Sequence, residues 1–299
     1  MRWVGWPRSF IEWCGECRYA LISNMDFISY PQRTFMPLPE AFVEGIGRDD
    51  RFLLAFPRSG SRWMLVMLTG LIEEAHDLPR SNFFSRPADD LGQGERKSTL
   101  LDSHGRCVLP NAHGNPRESS ALLAIGETPI FRSHHLAEII TRANGPIVYI
   151  VRPPAPALYS YYHFARGEGH VPASLGIEEF CTIHLPLWKD HVATMLQLHR
   201  MTPGRVLFLT YRDPGPFERF QLEAATAHFG IPASPEAVER ALAGLAGFLP
   251  RLSARPAMAH PRGVNDELVR ELPRDLLHWI HSEAGELYQE AMMAERSRA

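Results

Sequence analysis

Four cysteines in 299 residues are too few for the disulfide framework of a small secreted scaffold, so a reducing compartment, the cytoplasm, is expected. Cys14 and Cys17 form a Cys-x-x-Cys, but structural zinc takes about four ligands, and Cys107 and Cys181 do not supply a matching second pair. No βαβ pattern surrounds the pair to suggest redox chemistry. Long apolar runs are missing too. None reaches the roughly 18 residues of a membrane span. Pro7, Arg8, Glu12 and Glu16 interrupt the aromatic N-terminus, so no signal peptide is expected. Charge of one sign is scarce, the net value being −3, so no global basic field argues for nucleic acid. Any anion site must be local. The fourteen histidines contain no His-Glu-x-x-His or comparable ligand set, and no metal is expected.

What is present is an alternation of apolar runs and helical patterns. Residues 1–47 are set apart as an N-terminal segment, proline-interrupted and without a sustained period. Trp3, Trp6, Phe10 and Trp13 have the spacing of an interfacial helix. Pro7 favours instead a segment packed on its own domain, or a chain start further on, near Met25. Residues 48–299 read as one domain, long enough for a sizeable core. Apolar runs at 51–56, 129–133, 146–151 and 205–211 predict strands. Helical patterns cover 62–75, 155–166, 178–201, 216–229, 235–247 and 274–292. The polar stretch 79–128 predicts a long excursion with little regular structure. Strands alternating with helices predict an α/β fold with a central parallel sheet flanked by helices. Ligands of such sheets bind outside the carboxyl ends of the strands.

Three strand ends carry chemistry. After the first come Pro57, Arg58, Ser59, Gly60, Ser61, Arg62 and Trp63. A small-residue turn with basic residues opening a helix is an anion cradle, because the first helical N–H groups lack intrahelical partners and the dipole favours negative charge. It is not a Walker A loop, and no acidic strand end stands ready for magnesium. The second strand ends in Arg132, Ser133, His134 and His135, where a histidine can serve as general base. The third ends in Arg152, with Ser160 on the next helix, a pair able to hold a second phosphate. Two anion sites, one base and no metal ligands suit an enzyme handling a doubly phosphorylated nucleotide and a protonated nucleophile.

In this order the blocks resemble the cytosolic sulfotransferases over about residues 48–230. The family's Tyr-Pro-Lys-Ser-Gly-Thr-x-Trp is matched by Phe56 to Trp63, and its Lys-Thr-His by Arg132-Ser133-His134. Its Tyr-x-x-Arg-Asn-Pro and Ser-Tyr-Tyr-His-Phe are matched by Tyr149 to Pro154 and by Ser160 to Phe164. Its Trp-x-x-His-Val is matched by Trp188 to Val192, and Tyr211 ends the fourth strand as in the family's Tyr-Glu-Asp.

The resemblance implies a three-layer P-loop-like fold and sulfuryl transfer from 3′-phosphoadenosine 5′-phosphosulfate to a hydroxyl or amine of a small-molecule acceptor, without metal. It implies that Arg58, Ser59, Gly60, Ser61 and Arg62 hold the 5′-phosphosulfate and that Trp63 and Tyr211 flank the adenine. Arg152 and Ser160 would hold the 3′-phosphate, His134 would be the base, and Arg58 and Arg132 would stabilise developing charge. Two family lysines are arginines here, Arg58 and Arg132, which keep the charge but are not tunable proton donors. The late Arg-Lys-Gly is reduced to Pro261-Arg262-Gly263, with Arg262 and Gly263 as further 3′-phosphate candidates. The family's dimer motif is not recognisable, so the sequence leaves oligomeric state open. A P-loop nucleotide kinase and an inactive nucleotide-binding scaffold of the same fold are the alternatives.

Overall fold

The computed structural model describes residues 38–79, 106–112, 115, 117–211, 219–243 and 269–296. Four parallel strands form the centre: β1 (Arg51–Ala55), β2 (Ile130–Ser133), β3 (Ile147–Val151) and β4 (Val206–Thr210), in the order β2-β1-β3-β4. All four are buried along their whole length, which is why each reads as an unbroken apolar run rather than an alternation. The period of two still decides the layers. Phe52, Leu54, Phe131, Ile147, Tyr149, Val151, Val206 and Phe208 face one core, while Leu53, Ala55, Ile130, Val148, Ile150, Leu207 and Leu209 face the other.

Helices α1 (Glu40–Glu44), α4 (Ala137–Arg142), α5 (Pro154–Gly167), α6 (Ile177–Met201) and α8 (Arg274–Arg296) supply buried residues to the first core. Helices α2 (Ser61–Ala75), α3 (Ala121–Ala124) and α7 (Arg219–His228) supply the second, together with a helical stretch at 235–243. The result is the expected three-layer α/β sandwich.

Every predicted strand is found, shortened by a residue or two. The predicted helices are found with small shifts at their described ends, α6 running through Pro186; residues 216–218 and 244–247 of two of them lie outside the described residues. Three short helices, α1, α3 and α4, have too few turns to show a period. The described part of the excursion, mainly 106–112 and 117–128, carries regular contacts that its composition does not signal. Cys107 bridges to Ser120, and the backbone of Arg132 both donates to Pro110 O and accepts from Ala112 N (2.9 and 3.0 Å). That segment therefore sheathes the outer edge of β2. The N-terminal side also contributes: the Phe42 ring meets Phe131 edge-on at 5.0 Å.

The opposite edge of the sheet is closed differently. Glu295, on α8, accepts from the backbone N–H of Thr210 (2.9 Å) and from Gln221 Nε2 (2.6 Å), and Gln221 also donates to Thr210 O (2.8 Å). One carboxylate and one amide thus satisfy edge-strand groups that would otherwise be buried without partners. Among the described residues no helix is long and apolar enough to cross a membrane.

Candidate active site

The carboxyl ends of β1 and β3 are neighbours, and the sheet order reverses direction around β1, the place where open α/β sheets bind ligands. The β1 exit turns sharply. Arg58 has φ +65° and Gly60 φ +99° before α2 begins. The left-handed region is free for glycine but costs an arginine about 1–2 kcal/mol, so other contacts must hold the turn. Arg152, at the end of β3, donates from Nη1 to Arg58 O (3.0 Å), and Arg58 Nε donates to Ser160 Oγ on α5 (3.2 Å). The Arg58 guanidinium lies 4.9 Å from the Phe164 ring centre, and that of Arg152 lies 4.6 Å from that of Tyr211. Tyr211 is tied to β3 by its N–H on Val151 O (2.8 Å). Arg58, Arg152, Ser160 and Tyr211, up to 153 positions apart in sequence, therefore form one cluster over two strand ends.

Among the described residues, buried polar atoms of the β1 exit and of β2 lack partners. Ser59 is fully buried and its Oγ has no hydrogen-bond partner; the same holds for Nε of Arg132. Burial lowers the Arg132 guanidinium to about 10, so it is still charged at neutral pH. Gly60, the N-cap of α2, has no side chain with which to cap the helix start, and the first helical N–H groups there favour an anion. Ser61, Arg62 and Trp63 form the first turn of α2, and Trp63 packs partly against the second core. An anionic group with several acceptor oxygens fits such a set. Arg262 and Gly263 lie outside the described residues.

His134 follows β2 directly. Its Nδ1 lies 2.6 Å from Ala55 O. A carbonyl can only accept, so the proton sits on Nδ1 and Nε2 is the basic nitrogen. The neighbouring His135 is buried, with Nε2 against the Glu138 carboxylate one helical turn on. The two histidines thus have separate partners, as side chains on opposite faces of extended chain should. Among the described residues no three His, Cys, Asp or Glu side chains converge to hold a metal ion.

Two further histidines lie on the buried face of α6. His184 Nδ1 donates to Phe180 O (2.8 Å), and His191 bonds Tyr149 OH and His134 O. Burial depresses them to about 4 and about 3, respectively. Unfolded histidine titrates near 6.5. The unfolded chain therefore takes up protons first, and stability falls as pH drops below about 6.5, at about 1.4 kcal/mol per unit for each residue until the folded values are reached. Urea unfolding at pH 5.5 should show a free energy about 2–3 kcal/mol below that at pH 7.5, and His184→Gln should remove about half of the difference. Equal stability at the two pH values would refute the neutral buried state.

The family profile described as "Sulfotransferase domain" matches residues 48–243. The chain belongs to the sulfotransferase family. Cytosolic sulfotransferase 12 of Arabidopsis thaliana is 25% identical over 178 residues, 55% of this chain and 50% of that protein. Flavonol 3-sulfotransferase of Flaveria bidentis is 26% identical over 178 residues, covering 55% and 51%. The chain thus spans about half the length of the curated relatives it matches. The crystal structure of mouse sulfotransferase SULT7A1 complexed with PAP superposes with a TM-score of 0.54 at 18% identity, covering 87% of this chain and 94% of that one. Retinol dehydratase in a complex with retinol and PAP gives 0.52 at 16% identity, covering 83% of each chain. These structural likenesses establish the sulfotransferase fold, the P-loop-like three-layer architecture.

Within that family frame, Arg58 of the anticipated loop, Arg152 at the end of β3, Ser160 and Tyr211 are brought together, His134 stands at the adjoining strand end, and Arg132 lies within β2 with its backbone bonded to Pro110 and Ala112. Sequence reasoning gives no role to Tyr149, Phe164 or His191. The Trp188-x-x-His191 block is the one available signal for His191.

Proposed function

We propose that this chain transfers a sulfuryl group from 3′-phosphoadenosine 5′-phosphosulfate to a hydroxyl or amine of a small-molecule acceptor, with His134 as general base and without a metal. The observation that carries this reading is the fixed tautomer of His134: Nδ1–H is committed to Ala55 O, at the strand from which the cradle loop departs. Arg58, Ser59, Gly60, Ser61 and Arg62 would hold the 5′-phosphosulfate, Arg152 and Ser160 the 3′-phosphate, and Trp63 and Tyr211 the adenine. Arg262 and Gly263 are further 3′-phosphate candidates. When bound, the donor supplies a sulfur activated by a phosphate leaving group.

The protein's own work is then positional and electrostatic. Nε2 of His134 accepts the proton that the acceptor loses as its oxygen or nitrogen bonds to sulfur. The electron pair of the broken sulfur–oxygen bond stays on the phosphate, where the guanidinium charges of Arg58 and Arg132 meet it. Neither arginine donates its proton at neutral pH, so the leaving phosphate departs ionised.

The test uses ³⁵S-labelled donor with 4-nitrophenol and with cell extract as acceptors. Label should reach an organic product, and rates with EDTA should stay within about twofold of those without, because charge stabilisation is assigned to side chains rather than to a bound ion. Loss of transfer on chelation, with magnesium-dependent phosphate transfer from ATP instead, would favour a nucleotide kinase.

A further inference from the structure

The backbone of His134 lies just past the β1–β2 ladder, whose register ends at Leu54 opposite Ser133. Something other than the sheet must fix its carbonyl, and with it the direction in which the imidazole leaves the chain. His191, on α6, does this: its Nε2 lies 3.1 Å from His134 O. The acceptor is a carbonyl, so Nε2 carries the proton and Nδ1 must accept. Nδ1 does so from the Tyr149 hydroxyl on β3, at 2.8 Å. Tyr149 is fully buried and its ring stacks on His191 at 5.5 Å and 25°. The Phe56 ring, at the mouth of the cradle loop, meets His191 edge-on at 5.9 Å. One imidazole is thus in contact with residues just past β1 and β2 and with the middle of β3.

Building on the assignment of His134 as base, we propose that Tyr149 and His191 form a fixed donor chain, Tyr149 OH to His191 to His134 O, whose task is to position the base. They are positioning residues and touch neither donor nor acceptor. The chain has one proton order only. Tyr149 can be nothing but the donor, because His191 Nδ1 has no proton, and burial keeps His191 neutral throughout the working range and pushes the Tyr149 hydroxyl up as well. A neutral, uniquely oriented chain holds a carbonyl in one direction, which a rotating hydroxyl or a titrating group would not.

The first test needs no acceptor. Nitrogen-15 spectra of the imidazoles in the intact protein should show His191 protonated on Nε2 alone from pH 5.5 to 8.5, and Tyr149→Phe should keep that tautomer, still required by His134 O, while shifting the Nδ1 resonance as its hydrogen bond is lost. The opposite tautomer in the unaltered protein overturns the chain. The second test is turnover with ³⁵S donor and 4-nitrophenol. A displacement near 1 Å costs up to about 100-fold, so Tyr149→Phe should lower kcat about tenfold and His191→Met about 10–100-fold. Affinity for 3′,5′-bisphosphoadenosine should stay within about twofold and the acid limb of the pH profile should not move. His191→Gln, whose amide nitrogen replaces Nε2, should recover to within about threefold of the unaltered rate.

A role in folding alone would instead lower nucleotide affinity and melting temperature together, with Gln no better than Met. If His191→Met does not fold, Tyr149→Phe and the spectra decide. In a His134→Ala background Tyr149→Phe should cost less than about twofold, because residues acting as a unit are not additive. Full turnover of His134→Ala itself would remove the base assignment. An impaired His134→Ala beside unimpaired Tyr149→Phe and His191→Met would remove the donor chain alone.

Discussion

His134→Ala should lower sulfuryl transfer by about 10²–10⁴, the usual range for loss of a general base. It should bind 3′,5′-bisphosphoadenosine within about twofold of the unaltered protein, since the phosphate contacts are assigned to other residues. The expectation rests on the Nδ1–H bond to Ala55 O, which leaves Nε2 as the proton acceptor. His135→Ala is the paired control. Its ring is already engaged with Glu138 and buried, so the variant should keep at least about a third of the turnover, with the damage confined to stability. Transfer rates and calorimetry on both variants separate the outcomes. A dead His135→Ala with an active His134→Ala would reverse the assignment, and full activity in both would move the base elsewhere.

Arg152→Ala should erase the preference for 3′,5′-bisphosphoadenosine over 5′-AMP. In the unaltered protein that preference should be at least tenfold, because one charge-assisted phosphate contact contributes about 1.5–3 kcal/mol. Arg152 also donates to Arg58 O and lies over Tyr211, so its loss loosens the left-handed turn at Arg58 and the adenine-side tyrosine together. Affinity for the bisphosphate should fall about 100-fold, the sum of a phosphate contact and a cation–π contact. Arg152→Lys should recover part of it, since a point charge can serve the phosphate but not the planar stack. An unchanged preference in Arg152→Ala by calorimetry would withdraw the 3′-phosphate assignment.

The sheet and most of the cluster are legible in the sequence because parallel strands buried on both faces leave unbroken apolar runs, and the residues just past each run stand at the ligand-binding edge. Arg58, His134 and Arg152 are found that way. The contacts joining them are not, because Arg58–Ser160 and Arg152–Tyr211 depend on crossings that no local pattern encodes. His184 and His191 escape for a different reason. A histidine in a helix pattern scores as polar, yet here each is buried, served by a carbonyl one turn back or by a tyrosine on a strand. The sheath of β2 by residues 107–112 is hidden in a polar stretch with no period. Its order comes from backbone bonds to Arg132 and from the Cys107–Ser120 bridge.

The closure of β4 by Glu295 also bears on the order in which this chain must assemble. The carboxylate that satisfies Thr210 N–H lies 85 positions later, so the partner closing this strand is a distant one. Loop closure over such a span is slow compared with pairing of nearby elements. Any species in which β4 has joined β3 before α8 docks therefore presents a bare strand edge, an invitation to intermolecular pairing. Refolding yield, more than final stability, is where the placement of that single glutamate has its effect.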